Sequence, residues 1–156
     1  MHIVKWLLYA LQHLVMRLFG DKKQIAGVRV LLVRDGRVVL VQHWYKPEVW
    51  TLPGGGIKKG ETIEDAARRE VFEETGFTVK TFGGRVGTYR GRMGDNDSVA
   101  VLYTDDFTGG LRIVPDIEIM VRGFFEFNKL PQGISPANRK RIESYINGVR
   151  DEQGDW

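Results

Sequence analysis

The chain has 156 residues, of which 42% are hydrophobic and 28% are charged, and its formal net charge is +3. This length and composition are typical of one globular domain with a hydrophobic core, and they exclude an intrinsically disordered chain. The absence of cysteine excludes disulfides and thiolate metal sites and is ordinary in a reducing compartment, so we expect a cytoplasmic protein. The net charge is too small to indicate a nucleic-acid partner.

The first regular pattern lies at residues 3–19, where apolar side chains recur with a helical period. We expect an amphipathic helix in an amino-terminal extension, residues 1–22, ahead of the main domain at residues 23–150. The stretch is short and charged for a transmembrane helix, and it lacks the cleavage site of a signal peptide. Packing on its own domain or in a homodimer is the favoured interpretation, and attachment to a membrane surface is the alternative.

The next pattern predicts a β-hairpin at residues 28–44. Two runs rich in β-branched residues flank Asp35-Gly36, a dipeptide that favours a two-residue turn because both turn positions need φ > 0.

Residues 54–77 read GGGIKKGETIEDAARREVFEETGF, a glycine-rich loop followed by a helix. Thr62 and Asp65 have the spacing of a capping box, and Gly76 follows the helix where a left-handed residue is favoured. Apolar residues at every fourth position predict a buried stripe of Ile63, Ala67 and Val71. The ends and the packing of this helix are therefore specified without its acidic residues.

Further strands are predicted at residues 85–90, 98–107 and 117–127, with an exposed polar loop at residues 91–97. A later helix is predicted to begin at Ser135-Pro136, because serine is a favoured N-cap and proline suits the first helical position. A basic face is expected at Arg139, Lys140 and Arg141. Residues 151–156 are polar and predict a frayed tail. The order of strands and helices indicates a single α/β domain.

The helix that follows the glycine-rich loop carries three acidic residues on one face, Glu70, Glu73 and Glu74. They share this face because they are spaced three and four positions apart. Each like-charge pair costs roughly 0.2–0.5 kcal/mol when exposed. A hard divalent cation such as Mg²⁺ reverses the sign of that interaction. A solvated acidic face, balanced by the arginines beside it, is the simpler explanation when such a pattern stands alone.

The pattern does not stand alone, because its surroundings resemble the signature of the Nudix hydrolases. That signature is G-x5-E-x7-R-E-U-x-E-E-x-G-U, with U apolar, and every defined position is matched over residues 55–77, the Nudix box. The resemblance implies an α/β/α sandwich with a mixed β-sheet, preceded here by the amino-terminal amphipathic helix. It also implies a hydrolase that uses Mg²⁺ or Mn²⁺ to cleave the pyrophosphate bond of a small nucleotide, a nucleoside diphosphate linked to another moiety.

The resemblance also implies roles for the charged residues of the box. Glu73 and Glu74 correspond to metal ligands, and Glu70 corresponds to a ligand or to the base that orients the attacking water. Arg69 is expected to pair with Glu61 and to fix the loop against the helix, since a planar guanidinium can hold a carboxylate with two hydrogen bonds.

The glycines of the box gain a purpose from the same resemblance. Gly54 and Gly55 let the backbone approach a metal or a phosphate where a Cβ would clash, and one of their carbonyls is a candidate metal ligand. Gly76 supports the end of the helix. The implied reaction needs no covalent nucleophile, because water attacks the phosphorus.

Outside the box, Glu118 is the first candidate for a further acid that binds metal or acts as base, and Asp95 and Asp97 compete with it. An exposed glutamate at a strand start is the plainer explanation of Glu118. The three histidines, His2, His13 and His43, lie outside the box and are interpreted as surface or packing residues.

Candidate substrate contacts are Arg29, Trp44, Lys58 and Tyr89, of which the aromatic ones can stack on a nucleobase. The markers of the ADP-ribose and dinucleoside polyphosphate groups are missing, so a (d)NTP or a nucleotide sugar is the expected substrate. ADP-ribose or a dinucleoside polyphosphate is the alternative. A catalytically silent Nudix module that only binds a nucleotide is less favoured, because the box keeps all its acids.

Overall fold

A computed structural model describes residues 27–91 and 94–156, except for the side chains of residues 94–96. The helix predicted at residues 3–19 lies outside the described residues. The described strands are β1 (Gly27–Arg34), β2 (Arg37–His43), β3 (Lys46–Thr51), β4 (Thr78–Thr81), β5 (Gly84–Gly91), β6 (Gly94–Thr104), β7 (Asp106–Thr108), β8 (Ile119–Glu126) and β9 (Glu152–Asp155). The described helices are α1 (Ile63–Thr75) and α2 (Pro136–Ile146), and neither is long and apolar enough to cross a lipid bilayer.

A mixed seven-stranded sheet forms the centre of the described fold. Its strand order is β3-β2-β1-β6-β5-β9, and β8 also pairs with β2. β1 runs parallel to β6 and β5 runs parallel to β9, whereas the other neighbours pair antiparallel. β4 and β7 form a separate two-stranded sheet. A parallel pair needs a long crossover connection, and the chain between β1 and β6 includes α1.

The two faces of β1 are buried in different clusters, since successive side chains of a strand point to opposite faces. Val30 packs in one cluster with Ala67 and Val71 of α1. Leu31 packs in the other cluster with Ile142 of α2. The sheet therefore lies between the two helices, which confirms the predicted α/β/α sandwich.

The local signals of the hairpin and of α1 are confirmed. Asp35 and Gly36 have φ of 50° and 69°, so both turn residues are left-handed as the dipeptide predicts. At the start of α1, Thr62 Oγ1 accepts a hydrogen bond from the Asp65 amide at 3.1 Å. At its end, Gly76 has φ of 86°. The helix that carries the acidic face is thus fixed at both ends by its own sequence.

Residues 151–156 are not a frayed tail, so that prediction is wrong. β9 pairs in parallel with residues Gly87 to Arg90 of β5, and the Trp156 amide donates to the Arg90 carbonyl at 2.8 Å. Backbone hydrogen bonds hold an edge strand whatever its side chains are, so polarity alone does not exclude one. Residues 94–97 are likewise the start of β6 rather than part of a loop.

Arg141, which belongs to the predicted basic face of α2, is buried. It is 2% exposed, and its guanidinium carbon lies 3.5 Å from the centroid of the Tyr89 ring. Its Nη2 donates to the Asp155 carbonyl at 2.9 Å, and the Tyr89 hydroxyl donates to Glu152 at 2.9 Å. β9 thus covers a buried arginine–tyrosine stack.

Deletion of residues 152–156 should lower the free energy of unfolding by about 1–3 kcal/mol, because it exposes Tyr89 and removes the hydrogen bonds that β9 makes. Urea denaturation measures the change. Gln153→Thr is the control, since this exposed substitution keeps the strand and should alter stability by less than about 0.5 kcal/mol. An unchanged unfolding midpoint in the deletion would contradict the structural role of β9.

Candidate active site

The glycine-rich loop is held against the start of β1. The amides of Val28 and Val30 donate to the carbonyls of Gly55 and Pro53, each at 2.9 Å. Gly54 has φ of 144°, and a Cβ there would overlap the carbonyl oxygen of Val28. A Cβ on Gly55 would lie 2.6 Å from the Glu70 carboxylate. Gly54 therefore requires glycine, whereas a side chain at Gly55 would have to displace the Glu70 carboxylate.

Arg69 ties this loop to α1 through Glu61, as the sequence predicts. Its Nε and Nη2 donate to the two carboxylate oxygens of Glu61 at 2.6 and 2.9 Å, and Nη2 also donates to the Gly56 carbonyl at 3.0 Å. The Lys58 amide donates to Glu61 at 2.9 Å. The hydrogen bond from Arg69 lowers the pKa of Glu61 to about 2.

The acidic face of α1 is only partly exposed. Glu74 is 1% exposed and Glu70 is 9% exposed, whereas the side chain of Glu73 is half-exposed and lies 3.4 Å from Arg69. Glu74 Oε2 accepts a hydrogen bond from the Gly54 amide at 2.9 Å. Burial raises the pKa of Glu74 well above its usual range, against the opposing effects of Arg29 and the Gly54 amide.

Two residues from outside the box converge on Glu74. His43 ends β2 and Glu118 precedes β8, and the pairing of these strands places them together, with the Trp44 amide donating to the Glu118 carbonyl at 3.2 Å. His43 Nε2 lies 3.6 Å from Glu74 Oε1, and Nδ1 lies 4.0 Å from Glu118 Oε1. Ligand atoms of His43, Glu74 and Glu118 all lie within 4.8 Å of one another.

Glu118 is the acid outside the box that the structure brings to this cluster, whereas its competitors lie elsewhere or go undescribed. Asp97 lies beside Gly91 at the β5–β6 hairpin, and the side chain of Asp95 is outside the described part of the chain. Burial raises the pKa of Glu118, and the negative charges of Glu70 and Glu73 raise it further.

The charge of His43 follows from its surroundings. The side chain is 4% exposed. Burial, together with the positive charges of Arg29 and Arg122, lowers the pKa of His43 to about 4. The imidazole is therefore neutral at neutral pH and cannot neutralise the carboxylates beside it.

Asp116 and Arg122 support the cluster, and neither was singled out from the sequence. Asp116 Oδ1 accepts hydrogen bonds from the amides of Glu118 and Ile119 at 3.0 and 2.8 Å, and its other carboxylate oxygen pairs with Arg122. Arg122 also donates to the backbone carbonyl of Glu74. Asp116 and Arg122 are far in sequence from His43 and Glu74, and strand pairing brings them together. The sequence alone shows only that these two residues are charged and lie in or beside a strand.

The four predicted substrate contacts are placed differently. Arg29 donates to the Gly54 carbonyl and so lies at the glycine loop. Trp44 is half-buried at the edge of the cluster, with Nε1 donating to the Asp116 carbonyl at 2.8 Å, and Lys58 is exposed on the loop. Tyr89 is completely buried in the hydrophobic cluster that packs against α2, away from the acidic residues of the site. Its selection as a base-stacking residue is wrong, because its ring faces the helix rather than the site.

The donor set fits a divalent cation. Buried carboxylates are costly unless a cation is close, and His43 offers no positive charge. Oxygen donors from Glu74 and Glu118 lie within reach of one ion. The carbonyls of Gly54 and Gly55 each accept one hydrogen bond from the protein, and a carbonyl oxygen has a second lone pair for a further partner.

Comparison with known proteins identifies the family. Residues 23–145 match the family model of the NUDIX domain. The chain therefore belongs to the Nudix family, as the box at residues 55–77 indicates.

Individual relatives are similar over most of their length. A Bacillus subtilis protein provisionally named 8-oxo-dGTP diphosphatase is 28% identical over 126 residues, which are 80% of this chain and 82% of the relative. The ADP-ribose pyrophosphatase of Methanocaldococcus jannaschii is 28% identical over 120 residues, 74% of this chain and 69% of that protein. The crystal structure of a MutT Nudix hydrolase from Burkholderia pseudomallei matches with a TM-score of 0.68 at 28% identity, covering 78% of this chain and 98% of that one.

Glu61→Gln should lower the free energy of unfolding by about 1 kcal/mol at neutral pH, because it removes a charge-assisted pair with Arg69. The pKa of Glu61 is lower in the folded state, so this stabilisation is complete above about pH 4.5 and is lost as the pH falls towards 2. Urea denaturation of the wild type and the variant between pH 7 and pH 3 measures the difference.

The control for this experiment is Glu64→Gln. Glu64 is an exposed neighbour that lies 3.5 Å from Arg68, and such pairs contribute a few tenths of a kcal/mol, about 0.3–0.5. If the difference in the free energy of unfolding between Glu61→Gln and the wild type stayed constant over the whole pH range, the ion pair with Arg69 would not be the source of that difference.

Proposed function

We propose that the chain hydrolyses the pyrophosphate bond of a small nucleotide, with a ribo- or deoxyribonucleoside triphosphate as the first candidate and a nucleotide sugar as the second. With a triphosphate, water is consumed and a nucleoside monophosphate and pyrophosphate are released. One observation carries the proposal: Glu74, Glu118 and His43 converge beside a glycine loop that the box acids support. Membership of the Nudix family supports the reaction class.

The proposal includes a divalent cation, Mg²⁺ or Mn²⁺. Its ligands are proposed to come from Glu70, Glu73, Glu74 and Glu118, with a carbonyl of Gly54 or Gly55. When bound, the cation neutralises pyrophosphate charge and favours the ionisation of water.

The protein's own carboxylates then handle the proton. Glu118 is one candidate for the base, because its side chain is half-exposed beside the buried acid Glu74. Glu70 is the other candidate, and its Oε1 is held at 2.5 Å from Arg69 Nη1. Arg69 thus orients Glu70 and, through Glu61, keeps the loop in place. We assign proton transfer to the one of Glu70 and Glu118 that the cation leaves unbound, and positioning to Arg69.

Substrate contacts are proposed at the rim of the same cluster. Arg29 carries a positive charge at the glycine loop, where a phosphate would lie. Lys58 extends from the exposed part of that loop. Trp44 presents an aromatic ring that Asp116 holds in place, and it can stack on a nucleobase. The relative from Bacillus subtilis supports a triphosphate substrate, whereas the relative from Methanocaldococcus jannaschii supports the alternative of ADP-ribose.

Glu74→Gln should reduce kcat/KM by at least about a hundredfold, because losing even a residue that supports a metal ligand costs 10–100-fold. Chromatography quantifies the nucleotide products, and pyrophosphate from the triphosphates, with Mg²⁺ or Mn²⁺ on a panel of (d)NTPs, including an oxidised purine triphosphate, nucleotide sugars, ADP-ribose and dinucleoside polyphosphates. Glu73→Gln tests the exposed acid of the box in parallel, and Glu64→Gln is the control.

Pyrophosphate release from a (d)NTP at the highest kcat/KM of the panel is the expected result. Faster cleavage of ADP-ribose would replace the proposed substrate while leaving the reaction class intact. Wild-type rates for Glu74→Gln on every substrate would overturn the assignment of the site.

A further inference from the structure

His43 is the residue of this site that the acidic box does not explain. Its imidazole is 4% exposed and lies between the carboxylates of Glu74 and Glu118. β2 has a register shift between Gln42 and His43, at the point where it pairs with both β3 and β8. Such irregularities are common beside active sites, where they redirect a side chain. The backbone of β2 therefore directs the ring towards the cluster.

The ring nitrogen Nδ1 of His43 is buried and has no hydrogen-bond partner within the described part of the chain. Its separation of 4.0 Å from Glu118 Oε1 is too long for a hydrogen bond. Most buried polar atoms have a partner, and an exception calls for an explanation such as an ion. The unpartnered nitrogen lies beside carboxylates that themselves suit a cation.

The spacing of these atoms agrees with shared coordination. Zinc–nitrogen and zinc–oxygen bonds are about 2.0–2.2 Å, so two ligands of one tetrahedral ion lie about 3.3–3.5 Å apart. The 3.6 Å separation is from His43 Nε2 to Glu74 and the 4.0 Å separation is from His43 Nδ1 to Glu118, so they involve different nitrogens of the ring. One nitrogen binds a given ion, and with one ligand atom taken from each residue the three atoms lie within 4.8 Å of one another. Rotation of the half-exposed Glu118 side chain can shorten its distance to the nitrogen that binds.

We propose that His43 is a nitrogen ligand, with Glu74 and Glu118, of the divalent cation at this site, and that the site therefore prefers a first-row transition cation to Mg²⁺. Mg²⁺ takes oxygen ligands and keeps much of its water. Imidazole suits Zn²⁺, Fe²⁺ and Ni²⁺, whereas carboxylate and carbonyl oxygens suit Mg²⁺ and Mn²⁺. The inference rests on the proposed metal centre, and it adds a ligand type and a cation preference that the box acids alone would not give.

The direct test uses Mn²⁺ alone, without nucleotide, on the full chain. Pulsed electron paramagnetic resonance detects the ¹⁴N nucleus of an imidazole bound to Mn²⁺. The chain has three histidines, so His2→Gln with His13→Gln leaves His43 as the single imidazole. We expect this double variant to keep the ¹⁴N coupling and His43→Gln to lose it. A second variant, His43→Asn, replaces His43→Gln if circular dichroism shows that the latter does not fold.

Affinity gives an independent measure. Removing His43 should weaken Zn²⁺ binding by at least about tenfold, since loss of a mere supporting residue already costs 10–100-fold. Mg²⁺ binding, measured by competition, should change by less than about threefold, because Mg²⁺ is expected to use the oxygen ligands. Equal losses for both ions would overturn the cation preference.

The possible failures are distinguishable. Tight Mn²⁺ binding without ¹⁴N coupling in the double variant would overturn the ligand role of His43 and leave the proposed function intact. Mn²⁺ binding that is the same in the wild type and in Glu74→Gln would remove the metal centre from this cluster, and the proposed function would fall with it.

Discussion

The site depends on one close contact, between the backbone of the glycine loop and the buried carboxylate of Glu74. The Gly54 amide donates to that carboxylate at 2.9 Å, and the loop reaches it only because Gly54 has φ of 144° and packs against β1. Gly55 leaves the space that the Glu70 carboxylate fills. Gly54 and Gly55 thus form one wall of the site rather than a flexible spacer.

The acidic residues of α1 make the helix less stable on its own but suit it to bind a cation. Its apolar stripe and its caps hold it against the sheet, and this leaves the acids free to face the loop. Burial of Glu74 would be expensive in isolation. Residues that destabilise the structure locally, such as these neighbouring carboxylates, are typical of functional sites. The Arg69–Glu61 pair fixes the loop, and Glu74 and Glu118, where we propose that the cation binds, take no part in that pair.

The sequence predicted correctly those features that depend on residues near each other in the chain or on the Nudix signature. The Asp35-Gly36 turn, the Thr62 cap and the Arg69–Glu61 pair each arise from residues that are close in sequence or joined by the Nudix signature. His43 was interpreted as a surface or packing residue, because a single histidine at the end of an apolar strand does not reveal what a distant strand brings next to it. Glu118 meets it through the pairing of β2 with β8. β9 escaped prediction because backbone pairing, not side-chain pattern, holds it in place.

The central claim is that a divalent cation binds at Glu74 and Glu118. Anomalous X-ray diffraction from crystals soaked in Mn²⁺ tests it most directly, because the map locates the metal without reference to activity. The account predicts an anomalous peak between the carboxylates of Glu74 and Glu118, beside the His43 ring. Peaks confined to exposed acids such as Glu64 or Glu126, with none in this cluster, would contradict it.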